Sequence, residues 1–235
     1  MEQEFDFGFR TVIKLFEING QPVGITTTII NTWIVMAILT IIALIVKFKV
    51  SSFTDVPTTK FQNIVEALVE AIEGLVAGAM GEKHKGFAPF YGSMLLFILL
   101  SNLIGLIGLR APTADIATTF ALSMTTFVMV QGYSISTNKL GGYLKGYFEP
   151  MAFLFPLNVF GELANPVSLS FRLFGNLIGG SIIMALVYAG LQGVNPVLQL
   201  GLPVILHLYF DIFSGALQSF IFIMLSMTFV SGSLE

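Results

Sequence analysis

From Ile25 to Val46 the chain is almost wholly apolar, and about 22 residues of helix at roughly 1.5 Å each cross a hydrocarbon layer ~30 Å thick. Lys47 and Lys49 follow at once. Basic residues beside a span mark its cytoplasmic side, which predicts an external N-terminus and sets the sense of every later crossing. Between Thr58 and Met80 the period changes. Phe61, Ile64, Leu68, Ile72 and Leu75 form one helical stripe, while Gln62, Asn63, Glu66, Glu70 and Glu73 occupy the other face. This predicts an amphipathic helix at the interface. Its polar face is acidic, whereas helices drawn to anionic lipid are usually basic there, so it rests either against protein partners or as a solvated cap on the bundle.

Phe87 to Leu109 is the next predicted span, entering after Lys83 and Lys85 and leaving through a polar connector with Arg110, Pro112 and Asp115. Ala117 to Ser136 returns, and Lys139 and Lys145 with Gly141, Gly142 and Gly146 predict a cytoplasmic loop. Met151 to Leu191 then stays mostly apolar for about 41 residues, roughly 60 Å as helix and twice a perpendicular crossing. It must tilt strongly or break, with Pro156 and Pro166 as the break points. Gln192, Gly193, Asn195 and Pro196 predict an outside turn before a last long apolar stretch, Val197 to Val230.

The pattern therefore predicts an all-α integral membrane protein, a single membrane domain over 1–235. An external segment spans 1–24, a first span 25–47, the interfacial helix 58–80, a helical hairpin 87–137 and a long hairpin 151–230. About five helices are embedded, the last two long and strongly tilted, and the C-terminus is cytoplasmic. Charge placement agrees: Lys47, Lys49, Lys60, Lys83, Lys85, Lys139 and Lys145 fall inside, Arg10, Lys14 and Arg110 outside, and only Arg172 stands in a membrane segment.

Composition sharpens this. With 55% apolar and 11% charged residues and a mean hydropathy of +0.86, the chain has too few charges to cover a water-soluble surface and needs lipid as its solvent. A net charge of −3 lacks the basic excess of a nucleic-acid binder. The absence of cysteine excludes disulfides and thiolate metal sites. The first twenty residues carry charges of both signs without a signal peptide's pattern, so the first apolar run is expected to be an anchor. No G-x-x-x-x-G-K-[ST] loop occurs, so no nucleotide site is expected on this chain, nor any cofactor.

Arg172 is the strongest chemical signal. A guanidinium at membrane depth costs about 2.5 to 3.5 kcal/mol on insertion scales, and arginine cannot shed its proton to escape. Either it pairs with an acid inside the bundle or it is functional. On a helix Ser168, Arg172 and Asn176 share one face, with Gly175, Gly179 and Gly180 nearby to admit another helix closely. In the last segment His207, Asp211, Ser214 and Gln218 form a polar stripe on an otherwise apolar helix. It reads as a wet path or as interhelical hydrogen bonding; for Asp211 the path is favoured, because an intramembrane acid needs pairing or water. Glu162 stands in the cytoplasmic half of its segment, near Asn165.

The run Pro166-Val-Ser-Leu-Ser-Phe-Arg172-Leu-Phe-Gly-Asn176, with Gly-Glu162 before it, resembles the signature of the a subunit of F-type ATP synthases. So do Leu217-Gln218-Ser-Phe-Ile-Phe222, Ser101-Asn102-Leu-Ile-Gly105-Leu-Ile and Pro112-Thr-Ala-Asp115. The resemblance covers nearly the whole chain from about Ile25, and the order of its motifs agrees with the predicted topology. It implies a stator subunit in a bacterial inner membrane, beside a ring of c subunits and the b-subunit peripheral stalk, offering two offset half-channels to H⁺ or Na⁺. Arg172 is implied to be the family's essential arginine, with Asn176 and Gln218 flanking it. Asp211, seven positions before Gln218, is implied to lie in the outer half-channel, and Glu162 resembles the acid of the cytoplasmic one. Where many relatives carry an acid or other polar group nine positions after the arginine, Ser181 stands here. His207 has no family counterpart and is expected at the outer entrance. Two rival readings remain in view: a secondary transporter pairing an anionic solute with Arg172, and an intramembrane hydrolase using a serine with His207.

Overall fold

The computed structural model describes residues 11–18, 21–54, 57, 59–148, 151–194 and 201–234. Ahead of the first helix, strands β1 (Thr11–Ile18) and β2 (Gln21–Thr26) pair antiparallel. Beyond them the fold is helical: α1 (Thr27–Val50), α2 (Lys60–Met80), α3 (Ala88–Leu103), α4 (Ile116–Gly146), α5 (Phe155–Val194), α6 (Leu202–His207) and α7 (Gly215–Gly232), with a π-helical stretch at Leu208–Ser214 joining the last two. Four stretches among the described residues are long and apolar enough to cross a membrane: Thr27–Val50, Glu82–Ile107, Ala152–Leu191 and Pro203–Gly232. The chain is an all-α membrane protein apart from its hairpin.

α4 is the fifth helix of the sequence reading. It falls short on hydropathy because Thr118, Thr119, Ser123, Thr125, Thr126 and Gln131 dilute it. Thr119, Ser123 and Thr126 are nevertheless buried: Thr119 bonds across to Ser170 on α5 at 3.0 Å and Thr126 to Ser226 on α7 at 2.7 Å, while Ser123 donates to the Phe120 carbonyl of its own helix at 2.9 Å. Polar contacts of this kind join helices where lipid supplies no hydrophobic drive between them.

Caps place the ends. Thr59 accepts from the Gln62 amide at 3.2 Å to start α2, and Asp115 accepts from the Ala117 amide at 2.9 Å to start α4. Gly81 and Gly108 end α2 and the turn after α3 with φ of 88° and 79°, which side chains resist. The core lies where α3, α5 and α7 meet the end of α2, around Tyr91, Ile98, Leu173, Phe222 and Met227. α1 joins through its N-terminal half, where Val35 and Leu39 pack with Ile104, Ala111 and Ala114. Asn31 donates to the Arg110 carbonyl at 2.7 Å and Thr28 to Asp115 at 2.9 Å, while Ile41, Leu44 and Phe48 are exposed as lipid-facing residues are.

Two expectations are corrected and one alternative is decided. Of a long helix or a broken one, α5 is the long one, running 40 residues without a break, with Pro166 inside it. Pro166 is buried among its neighbours, and packing holds a helix together across the one hydrogen bond that a proline removes; Pro156 sits in the first turn, where that bond is not needed. The cytoplasmic loop expected around Lys139–Gly146 is instead a continuation of α4 beyond a kink at Lys139, whose φ is 54° and ψ 163°. On α2 the expected apolar stripe packs at its two ends, Phe61 edge to face on Phe53 and Ile72 onward on the bundle, while Ile64 and Leu68 between them are exposed; Gln62, expected on the polar face, is buried, its amide donating to Thr54 at 2.6 Å and to Glu66 at 2.7 Å. At the predicted outside turn, Gln192 and Gly193 belong to α5, whereas Asn195 and Pro196 lie outside the described residues.

Candidate functional site

α5 presents two faces. Leu169, Ser170 and Leu173 are buried against the bundle, whereas Ser168, Arg172 and Asn176 are exposed. Among the described residues no side chain hydrogen-bonds or pairs with Arg172. Beside it, a methyl group added at Gly175 or Gly179 would meet nothing within 4 Å, so this face is open to another chain. Only Gly180 is approached from within, by Phe210 at 3.6 Å from such a methyl.

Below the arginine a cavity of about 240 Å³ lies among α4, α5 and α7, lined by Ser123, Thr126, Gln131, Ser134, Glu162 and Asn165, and reaching along α5 as far as Leu169. A wider one of about 650 Å³ shares Ser134, Glu162 and Asn165 with it and opens past Asn138, Tyr143, Tyr147 and Asn158. Glu162 therefore stands at the neck between the two. Its Oε2 accepts from Gln131 Nε2 at 2.7 Å and from the Tyr147 hydroxyl. The Tyr143 hydroxyl donates to Gln131 Oε1 and lies 2.6 Å from that of Tyr147. In a straight helix Gln131 and Tyr143 would stand roughly 18 Å apart along the axis; the kink at Lys139 folds the end of α4 back and lets them meet.

Above the arginine a cavity of about 460 Å³ is lined by Arg110, Asn176, Ser181, Tyr188, His207 and Asp211, beginning on α5 at Asn176. Asp211 sits on the π-helical stretch, a widened turn that recurs at functional sites. Its Oδ2 is 2.6 Å from His207 Nδ1, and His207 Nε2 is 3.2 Å from the Tyr188 hydroxyl. Ser214 donates to Asn176 Oδ1 at 3.1 Å, linking α5 to the π-helical stretch. Ser181 turns its hydroxyl to the Leu177 carbonyl of its own helix at 2.9 Å.

The structure thus gathers His207, Asp211, Ser181 and Asn176 at one cavity and sets Glu162 at another, with Arg172 between. Gln218 is not among the cavity residues; it is buried, and its Nε2 has no partner among the described residues. No hydrogen bond joins Asn176 or Gln218 to Arg172 among the described residues. Gln131, Tyr143, Tyr147 and Tyr188 escape sequence reasoning, although Tyr143 and Tyr147 stand one helical turn apart and so share a face. The Asn102 and Asp115 motifs have a bracing role: Asn102 donates to the Gly215 carbonyl at 2.9 Å and to Ser219 at 3.0 Å, and accepts from Thr113 at 2.6 Å. Among the described residues no three acids or histidines come together as a metal site.

A family model described as ATP synthase A chain matches residues 29–231. The sodium-ion-specific ATP synthase subunit a of Propionigenium modestum is 36% identical over 231 residues, covering 92% of this chain and 75% of that one. ATP synthase subunit a of Moorella thermoacetica is 34% identical over 220 residues, with 93% and 94% covered. ATP synthase subunit a 2 of a Bradyrhizobium species is 32% identical over 226 residues, with 95% and 94% covered.

Proposed function

The chain belongs to the ATP synthase A chain family, and on that premise we propose that it carries a cation, H⁺ or Na⁺, through two offset half-channels in the stator of a rotary motor. At the coarser level it is a multi-pass membrane subunit of an F-type ATP synthase, serving ion transport and ATP synthesis. The finer reading rests on one observation: on α5 the lower cavity ends at Leu169 and the upper begins at Asn176, and Arg172, exposed and unpaired among the described residues, lies in the gap.

A cation enters the upper cavity past His207 and Asp211 and loads a carboxylate of the neighbouring c-subunit ring. After a rotation the carboxylate returns from the other side and releases its ion toward Glu162 and the cytoplasm. Arg172 drives the release, because a positive charge within a few ångströms favours the ionised carboxylate. The same charge repels a free cation and keeps the half-channels from joining. One charge crossing the full potential yields about 2.3 kcal/mol per 100 mV, so several crossings drive each ATP. The open glycine face beside Arg172 suits a ring helix, the peripheral stalk of b subunits holds the chain against rotation, and the membrane is a bacterial inner membrane.

The test is ATP-driven ion uptake into vesicles holding the whole complex, wild type against Arg172→Ala, at varied Na⁺ and with a protonophore. Loss of uptake with hydrolysis by the soluble head intact supports the reading. Normal uptake overturns it and favours the transporter of an anionic solute.

A further inference from the structure

Glu162 differs from the other ion-path candidates in having one carboxylate oxygen fully engaged. Both of its donors, the Gln131 amide and the Tyr147 hydroxyl, reach Oε2, and among the described residues nothing bonds to Oε1. Two donors converging on one oxygen fix the rotation of a carboxylate, because turning it would break both bonds. The donors are themselves fixed: Tyr143 donates to Gln131 and contacts the Tyr147 hydroxyl at 2.6 Å, and the two tyrosine rings pack edge to face with centroids 5.1 Å apart. Asn158 then donates to the Tyr147 carbonyl at 2.9 Å, holding the folded-back end of α4 on α5. No lysine, arginine, histidine or second acid lines either cavity among the described residues.

We propose that Gln131 and Tyr147 are positioning residues, locked by Tyr143, that hold the Glu162 carboxylate at the neck between the two lower cavities with Oε1 left as the free acceptor for a passing cation. The proposal rests on the half-channel role of Glu162. A cation moving between the cavities meets one oriented oxygen, already desolvated on its other side, and leaves without a rearrangement of the carboxylate. Partner groups around an ion-binding carboxylate typically change its performance about 10- to 100-fold when removed.

The experiment is ATP-driven ion uptake in vesicles with the whole complex, its subunit content checked, for E162Q, Y147F, Q131M and the doubles E162Q/Y147F and E162Q/Q131M. Each of Y147F and Q131M is expected to slow uptake about tenfold. Neither should slow it further on top of E162Q, because both act through Glu162. If E162Q transports at the wild-type rate, the half-channel role itself fails. If E162Q is impaired but Y147F and Q131M match wild type, or add their full loss to E162Q, the positioning inference falls while that role stands.

Discussion

Asn102 on α3 donates to the backbone carbonyl of Gly215 at 2.9 Å, at the point where the π-helical stretch becomes α7. A methyl on Gly215 would stand 3.2 Å from the Asn102 Cβ, so the absence of a side chain there is what brings the helices to this distance. With Ser219 and Thr113 also on Asn102, three polar contacts meet at one buried amide.

Asn102→Ala should destabilise the subunit by about 1 to 3 kcal/mol, the cost of leaving buried partners unsatisfied. Thermal unfolding of the detergent-purified complex, followed by loss of this subunit, checks it. An unchanged transition would mean that water replaces the amide without cost.

Asp211→Asn should slow ion-driven ATP synthesis, most severely at low driving force. The carboxylate 2.6 Å from His207 is then missing from the cavity proposed to take up the ion. Synthesis rates measured across a series of imposed potentials decide this, and wild-type rates at every potential would remove Asp211 from the path.

Ser123 is buried yet lines the lower cavity, and the chain has no cysteine. Ser123→Cys should therefore react with a small water-soluble thiol reagent supplied from the cytoplasmic side of sealed vesicles. Labelling only from the outside would invert the topology.

Lys139 adopts a φ of 54° and ψ of 163°, a region costing a residue other than glycine about 1 to 3 kcal/mol. Lys139→Gly should be neutral or stabilising by about 1 kcal/mol in thermal unfolding, and Lys139→Val clearly destabilising. Equal effects of the two substitutions would mean that the kink is absent in the membrane.

Much of this was legible in the sequence, for reasons that separate by residue. α1 announces itself because apolar residues dominate it over a membrane's thickness, and Arg172 because its cost in lipid is so high. The interhelical face of α4 was harder, since Thr119, Ser123 and Thr126 lower the hydropathy of a helix they help to pack. The hairpin is signalled by the β-branched and aromatic run Thr11–Ile18, which a reading based on span length does not weigh. Pro166 carries a local propensity that tertiary packing overrides. The clamp on Glu162 depends on one backbone angle at Lys139, and no pattern of residue types encodes that angle.

Arg172 finds no counter-charge among the described residues of its own chain, and that bears on the order in which the complex is put together. On the proposed docking beside a ring carboxylate, a subunit inserted ahead of that acidic neighbour would hold an unneutralised guanidinium at a cost that the arrival of the second chain relieves. Docking would then be the closing stage of folding.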